Sequence, residues 1–381
     1  MSTDSLKLIF NEEGVHLAYV EQDGNIFIVS SGPDTRWPSR VLREGRATFE
    51  LAGRIETRGA ILVSDQLEKS KILNLFRLKY GDKKVNEWFS NHSRFIKLNG
   101  EPSPVGDSQS HYYEWLENEF DSIADEYDTH IFGNQVNSLL RERSLDILTS
   151  YFFKPSILLE IGCGTGTETM ELLRKGHTVV AIDISEKMLD ILSSKVRKEN
   201  LDQRFMAIKL NAQNIQRMEE KFGRQYFDGI YSTYGAMNCI SDLRPIPPSL
   251  RRLIKDDGKL VMGIYNRLCA SEVVGYSAKF RISNAINRLK RNVREGESRF
   301  CVDIYSYTLP EFVSIFKPFF RSIHTEGVPV VILPSNFVKY TKMFDRKFDT
   351  LKSFDSWLGR RWPFNMLGDH FLVVMEPRPL T

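Results

Sequence analysis

The stretch Ile157-Leu158-Leu159-Glu160-Ile161-Gly162-Cys163-Gly164-Thr165-Gly166 runs from an apolar segment ending in an acid into three glycines at alternate positions. A helix-forming segment, Thr167 to Gly176, follows directly. Glycine lets the chain turn sharply and lets a ligand approach the backbone, while a helix N-terminus offers unpaired N–H groups. Seventeen residues after Gly166, Asp183 ends the next apolar run, VVAID. A carboxylate there can accept hydrogen bonds from both hydroxyls of a ribose. The dinucleotide pattern G-x-G-x-x-G would place its third glycine at position 167, where Thr167 stands.

Outward from this turn, strand candidates ILLEI, VVAIDI, RFMAIKL, FDGIYST and KLVMGIY alternate with helical segments ETMELLRKG, SEKMLDILSSKVRKE and PSLRRLIKDDG. Such alternation predicts an α/β fold, a parallel sheet covered on both faces. SIHTEGVPVVIL and HFLVVMEP read as the last strands. Residues 14–63 instead read as short strands separated by turns, with Asp23-Gly24 as a hairpin signal. GPDTRWPS is read among those connections, and DQLEKSKILNLFRLKYG and KKVNEWFSNHSRF as amphipathic helices. A linker at 99–110, NGEPSPVGDSQS, divides a β-rich domain at 1–98 from a second domain at 111–381.

The chain has 381 residues, 41% hydrophobic and 27% charged, which implies two or more globular cores and excludes disorder. No run reaches the roughly 18 apolar residues of a membrane span, and four scattered cysteines suggest neither a zinc site nor a disulfide scaffold. A cytoplasmic location is the expectation. The net charge of +3 gives no argument for nucleic acid. From Pro245 onward, however, 22 Lys plus Arg face 13 Asp plus Glu, whereas residues 111–128 carry seven acids and no base.

Glu160 through Gly166 together with Asp183 resemble the class I S-adenosylmethionine-dependent methyltransferases, and the likeness covers most of residues 111–378. FDSIADEYD (120–128) looks like that family's F-x-x-x-A-x-x-Y-D lead-in, in which Tyr127 would close the cofactor site. The resemblance implies a Rossmann-like sheet of order 3-2-1-4-5-7-6 with the seventh strand antiparallel, and FDGIYSTYGAMNCI, VILPSN and GDHFLVVMEP fit its later strands and terminal hairpin. It further implies that Glu160, Gly162, Cys163, Gly164, Thr165, Gly166 and Asp183 hold S-adenosylmethionine, whose product is S-adenosylhomocysteine. Ile184 and Met188 would sandwich the adenine, and Ser232 would face the methionine part. Asn211 stands before Ala212 where the family usually has Asp, and its amide oxygen can still accept a hydrogen bond. Asp228 is read as orienting a strand end.

Methyl transfer needs alignment more than a base. His130, Tyr127, Tyr234 and His370 could each take a proton, but a lone histidine or tyrosine near a pocket more often packs or hydrogen-bonds, so no catalytic residue and no metal ligand is assigned. Cys163 and Cys239 read as small buried fillers. An insert at about 266–300 sits where relatives build a substrate lid. Its Lys279, Arg281, Arg288, Lys290, Arg291 and Arg294 make it basic, and Phe280, Ile282, Ile286 and Leu289 form an apolar stripe. Three readings stand open: a cap over an acidic or lipid-like acceptor, a helix resting peripherally on an anionic membrane, or a solvated basic face over a core-facing stripe.

The first domain resembles split-barrel proteins related to pyridoxamine phosphate oxidases and deazaflavin-dependent reductases. That likeness implies a flavin or deazaflavin phosphate held by Arg36, Ser39 and Arg40, or else a degenerate barrel that packs or forms a homodimer without cofactor. Two functional alternatives accompany the methyltransferase reading: an oxidoreductase or flavin-binding module acting through the barrel, and a noncatalytic S-adenosylmethionine-holding protein.

Overall fold

The structure is a computed structural model that describes residues 5–10, 13–31, 37–63, 65–89, 93–100, 108–293, 302–337 and 348–379. Two compact units divide the chain, Met1–Glu119 and Phe120–Thr381.

In the first unit, strands β1 (Leu6–Phe10), β2 (Glu13–Leu17), β3 (Tyr19–Gln22), β4 (Asn25–Val29), β5 (Arg46–Leu51), β6 (Arg54–Leu62) and β7 (Phe95–Asn99) pair in the order β2-β1-β5-β6-β7-β4-β3. The two edges, β2 and β3, are separated only by Ala18, and the sheet curls into a nearly closed barrel. Asp23 and Gly24 both hold positive φ, at 52° and 76°, the geometry of a primed hairpin turn. Helices α1 (Trp37–Glu44), α2 (Gln66–Tyr80) and α3 (Asp82–Trp88) belong to this unit, and α4 (Ser108–Ile123) crosses its boundary. Ile72, Phe76 and Val85 pack against Phe27, Val29 and Phe95.

Three readings of this region change. Trp37 to Glu44, expected among the connections, is helical and buries Trp37, Val41 and Leu42. The helix expected to run to Phe95 stops at Trp88, and Phe95 opens β7, which lies between β4 and β6 with Phe95, Ile96 and Leu98 buried. The first unit also extends to Glu119, beyond the linker read at 99–110. Tyr112, Trp115 and Leu116 are buried, and Glu119 is held by Ser39 and Arg94.

The second unit is a seven-stranded sheet of order β10-β9-β8-β11-β12-β16-β15, in which β16 is antiparallel to its neighbours. Its strands are β8 (Ile157–Ile161), β9 (Thr178–Asp183), β10 (Phe205–Lys209), β11 (Phe227–Ser232), β12 (Ile254–Tyr265), β15 (Phe320–Val328) and β16 (His370–Pro377), with a small ribbon of β13 (Asn292–Val293) and β14 (Ile304–Tyr305) beside it. This is the expected 3-2-1-4-5-7-6 order. Successive residues enter opposite cores, Val180 and Ile182 on one side and Val179 and Ala181 on the other, so both faces are covered. The helices are α5 (Tyr127–Phe132), α6 (Gln135–Tyr151), α7 (Thr167–Arg174), α8 (Glu186–Lys198), α9 (Arg217–Phe222), α10 (Ile246–Leu253), α11 (Ala270–Ala278), α12 (Ile282–Arg288), α13 (Leu309–Phe316) and α14 (Phe348–Gly359). No helix among the described residues is long and apolar enough to cross a membrane.

The VILPSN segment lies outside the terminal hairpin. β15 ends at Val328, before Pro329, and the N–H groups of Val330, Val331 and Ile332 donate to the Asp355 carboxylate at 2.6–3.0 Å instead of to a strand. The lid insert also departs from a core-facing stripe: Phe280, Ile282, Ile286 and Leu289 are exposed, while Arg288 is buried.

Candidate functional site

The chain leaves β8 through a turn whose three glycines all hold positive φ: 74° at Gly162, 53° at Gly164 and 82° at Gly166. Their surroundings differ. A Cβ at Gly162 would lie 2.3 Å from the Ala236 Cβ, and one at Gly166 would lie 2.1 Å from Leu192 Cδ1. Those two positions are closed by packing. At Gly164 the nearest group is Tyr127 Cε1 at 3.7 Å, so the middle of the turn is open to a ligand beneath the tyrosine ring.

Asp183, at the end of β9, is joined to that turn. Its Oδ2 accepts the Gly164 N–H at 2.8 Å and its Oδ1 accepts the Ser185 N–H at 2.9 Å. Burial pushes its pKa up, those backbone donors oppose the rise, and the Asp121 charge adds to it. With the Ile184 N–H as a third backbone donor, the carboxylate still keeps a lone pair for a ribose hydroxyl. Ile182 O also accepts the N–H groups of Gly162 and Cys163, which fixes the start of the turn against β9.

A second set of bonds holds the roof. Asp128 accepts from the Thr165 hydroxyl and from Lys195 Nζ, each at 2.5 Å, and Lys195 also donates to Thr165 O at 2.9 Å. Asp121 accepts from the Ser185 hydroxyl at 2.5 Å. Tyr127, next to Asp128, is thereby kept over Gly164. Asp121, Asp128 and Lys195 were not singled out by sequence reasoning. The two acids lie inside the FDSIADEYD motif and could have been found there; Lys195 carries no local signal, because its partner Asp128 is 67 residues away.

The other expected residues divide. Ile184 is half-buried beside Asp183, whereas Met188 is sealed in the core. Asn211 spends its amide oxygen on the Gln213 N–H at 3.0 Å, capping a short turn that includes Ala212. Ser232 is buried and donates to Ile161 O at 2.8 Å, tying β11 to β8. Glu160 is fully enclosed, accepting from the hydroxyls of Thr169 and Tyr231, and its pKa is pushed up to about 8, chiefly by burial and then by Glu168. Arg141 pairs with Glu168 at 2.5 Å and lies over the Tyr234 ring at 4.0 Å. Burial also raises the Cys163 thiol well above its ordinary pKa, which disfavours the thiolate, and Cys239 is buried as well. Asp228 accepts from the Ile157 N–H at 2.7 Å and from Lys255 at 2.6 Å, which orients the strand ends as expected.

Beyond the turn, the Tyr234 and His370 rings stack 6.1 Å apart, and His370 Nδ1 lies 3.0 Å from Asp369 Oδ2. Tyr265 lines the same place. The His130 side chain lies outside the described residues. Cys269, Glu272 and Asp369 come close enough to ligate a cation, but Arg288 already supplies the charge, 2.8 Å from Glu272 and 3.2 Å from Asp369.

Of the barrel residues expected to hold a flavin-type phosphate, Ser39 and Arg40 are described. Arg36 lies outside the described residues. Ser39 donates to Glu119 at 3.0 Å and accepts from Arg94 at 2.6 Å, so a carboxylate of this chain takes the place next to it. Arg40 lies over the Phe10 ring and near Glu44.

The sheet order, the antiparallel seventh strand and the glycine turn tied to an acid agree with the Rossmann-like methyltransferase sheet that the sequence led us to expect. Residues 159–262 match the family model for the methyltransferase domain. A demethylmenaquinone methyltransferase of Porphyromonas gingivalis is 28% identical over 130 residues, 33% of this chain and 50% of that protein. An uncharacterized methyltransferase of Schizosaccharomyces pombe is 30% identical over 105 residues, 27% of this chain and 36% of that one. The chain thus spans about half the length, or less, of these curated relatives. Among solved structures, the 1,6-didemethyltoxoflavin-N1-methyltransferase of Burkholderia thailandensis, with S-adenosylhomocysteine bound, aligns with a TM-score of 0.46 at 14% identity, covering 74% of this chain and 94% of that one.

Proposed function

We propose that this protein moves a methyl group from S-adenosylmethionine to a small-molecule or lipid-like acceptor by direct in-line transfer. The observation that carries the reading is the open, positive-φ backbone at Gly164 whose N–H donates to Asp183, because one hydrogen-bonded unit then offers both a close approach to the chain and a carboxylate for a ribose. When bound, the cofactor supplies a methyl on a sulfonium, activated for displacement: the bond from the methyl carbon to sulfur breaks as the bond to the acceptor forms, and S-adenosylhomocysteine leaves.

The chain's own residues bind and orient. Asp183 would hold the ribose, Ile184 would lie against the adenine, and Tyr127, beside Gly164, would close the site and exclude water. Alignment of the acceptor lone pair with the breaking bond provides most of the acceleration. On the acceptor side we take His370, whose Nδ1 lies 3.0 Å from Asp369 Oδ2 and whose ring stacks on Tyr234, as the candidate to accept a proton from a hydroxyl or ammonium acceptor.

Incubation with methyl-labelled donor and an extract of the source cells tests the reading. A labelled small molecule or lipid is expected, at a rate lowered about a hundredfold or more by His370→Asn. Label appearing only in protein or nucleic acid, or not at all, contradicts it.

A further inference from the structure

The α11–α12 hairpin is built the wrong way round for a helix pair that packs on a core. From Val273 to Arg294 the chain holds Lys279, Arg281, Arg288, Lys290, Arg291 and Arg294 and no acid. Among the described ones, Arg288 is the one turned inward, where it donates to Asn266 O at 2.6 Å, pairs with Glu272 and lies over the Tyr265 ring at 3.8 Å. The apolar residues face outward instead. Phe280 is 92% exposed, and Ile282, Ile286 and Leu289 are exposed beside it, with Arg281, Lys290 and Arg291 at the surface among them.

Phe280 also occupies the corner between the two helices with a φ of +55°. A bulky side chain is disfavoured in that left-handed conformation, which suits glycine. Neither backbone geometry nor burial accounts for an aromatic residue there. Contact with an apolar phase does.

We propose that the outer face of the α11–α12 hairpin docks on an anionic lipid bilayer, with Phe280, Ile282, Ile286 and Leu289 entering the acyl boundary and the flanking cations meeting lipid phosphates. Exposed apolar side chains flanked by Arg281, Lys290 and Arg291 match the two terms of interfacial binding, buried apolar area and attraction to anionic headgroups. Among the described residues, the exposed charges that the hairpin itself carries, Lys279, Arg281, Lys290 and Arg291, are all basic, which favours a surface of negative charge over a second copy of this face. The inference goes beyond the transfer reaction, and vesicle binding is read without turnover.

Sedimentation of the full-length protein with vesicles tests it. Binding is expected to mixed phosphatidylglycerol–phosphatidylcholine vesicles, weakened by salt, and little to phosphatidylcholine alone. Phe280→Gly should cut the binding about tenfold without lowering the melting temperature, since glycine relieves the backbone, and without changing S-adenosylmethionine affinity. Lys290→Glu with Arg291→Glu should weaken binding and remove its salt dependence. Absence of binding to the mixed vesicles, or equal binding by both variants and the parent protein, overturns the proposal. A dimer in light scattering that Phe280→Gly dissolves would also overturn it, assigning the face to a second copy.

Discussion

The Gly164 N–H donates to Oδ2 of Asp183 across 2.8 Å, so the middle of the glycine turn and the acid at the end of the second parallel strand form one hydrogen-bonded unit. Neither can move without the other, and the three glycines around that bond have separable duties.

Gly162→Ala and Gly166→Ala are expected to unfold the protein earlier, because the new Cβ would meet Ala236 and Leu192 at little more than 2 Å. Overpacking and left-handed strain together should cost about 2–4 kcal/mol. Gly164→Ala has room for its Cβ and should cost about 1 kcal/mol from backbone strain alone, yet weaken S-adenosylmethionine binding more than its melting temperature suggests. Paired thermal melts and calorimetry check this; equal melting temperatures for all three variants would contradict it.

Glu160 gives the fold a pH dependence with a definite sign. Its folded pKa, about 8, lies above the ordinary 4.5, so the folded state favours the protonated form. The stability tied to that proton is complete below about pH 4.5 and is lost as pH rises toward 8. Glu160→Gln, which cannot ionise, is expected to flatten the fall of melting temperature between those values. An unchanged slope would show that Glu160 titrates normally.

Arg288 is expected to be indispensable to the α11–α12 hairpin. Replacing it by Met leaves Glu272 and Asp369 buried without their cation and should cost about 3–5 kcal/mol. Thermal melts measure it, and a variant as stable as the parent would show that the two acids find other partners.

The second unit was legible because its signals are local. Alternating apolar runs, the glycine turn and Asp183 fix five parallel strands, and the resemblance supplies the order of the rest. Ser232 and Met188 were harder to place, since whether a strand-end or helix residue faces a pocket or the core depends on neighbours such as Ile161 that only the folded sheet brings together. Phe95 and Trp37 were misread for the same reason: a short segment takes strand or helix form according to what covers it. The lid stripe has helical spacing, but spacing does not tell which face turns inward, and burial of Arg288 between Glu272 and Asp369 reverses the usual answer.

Calorimetric titration of S-adenosylmethionine into the parent protein and into Asp183→Ala tests the central claim most directly. The structure predicts micromolar binding by the parent and a loss of tenfold or more in the variant, about 1.5–3 kcal/mol for a charged hydrogen-bonding group removed, with the fold retained by circular dichroism. Equal affinity in the two proteins, or no binding by the parent, would contradict it.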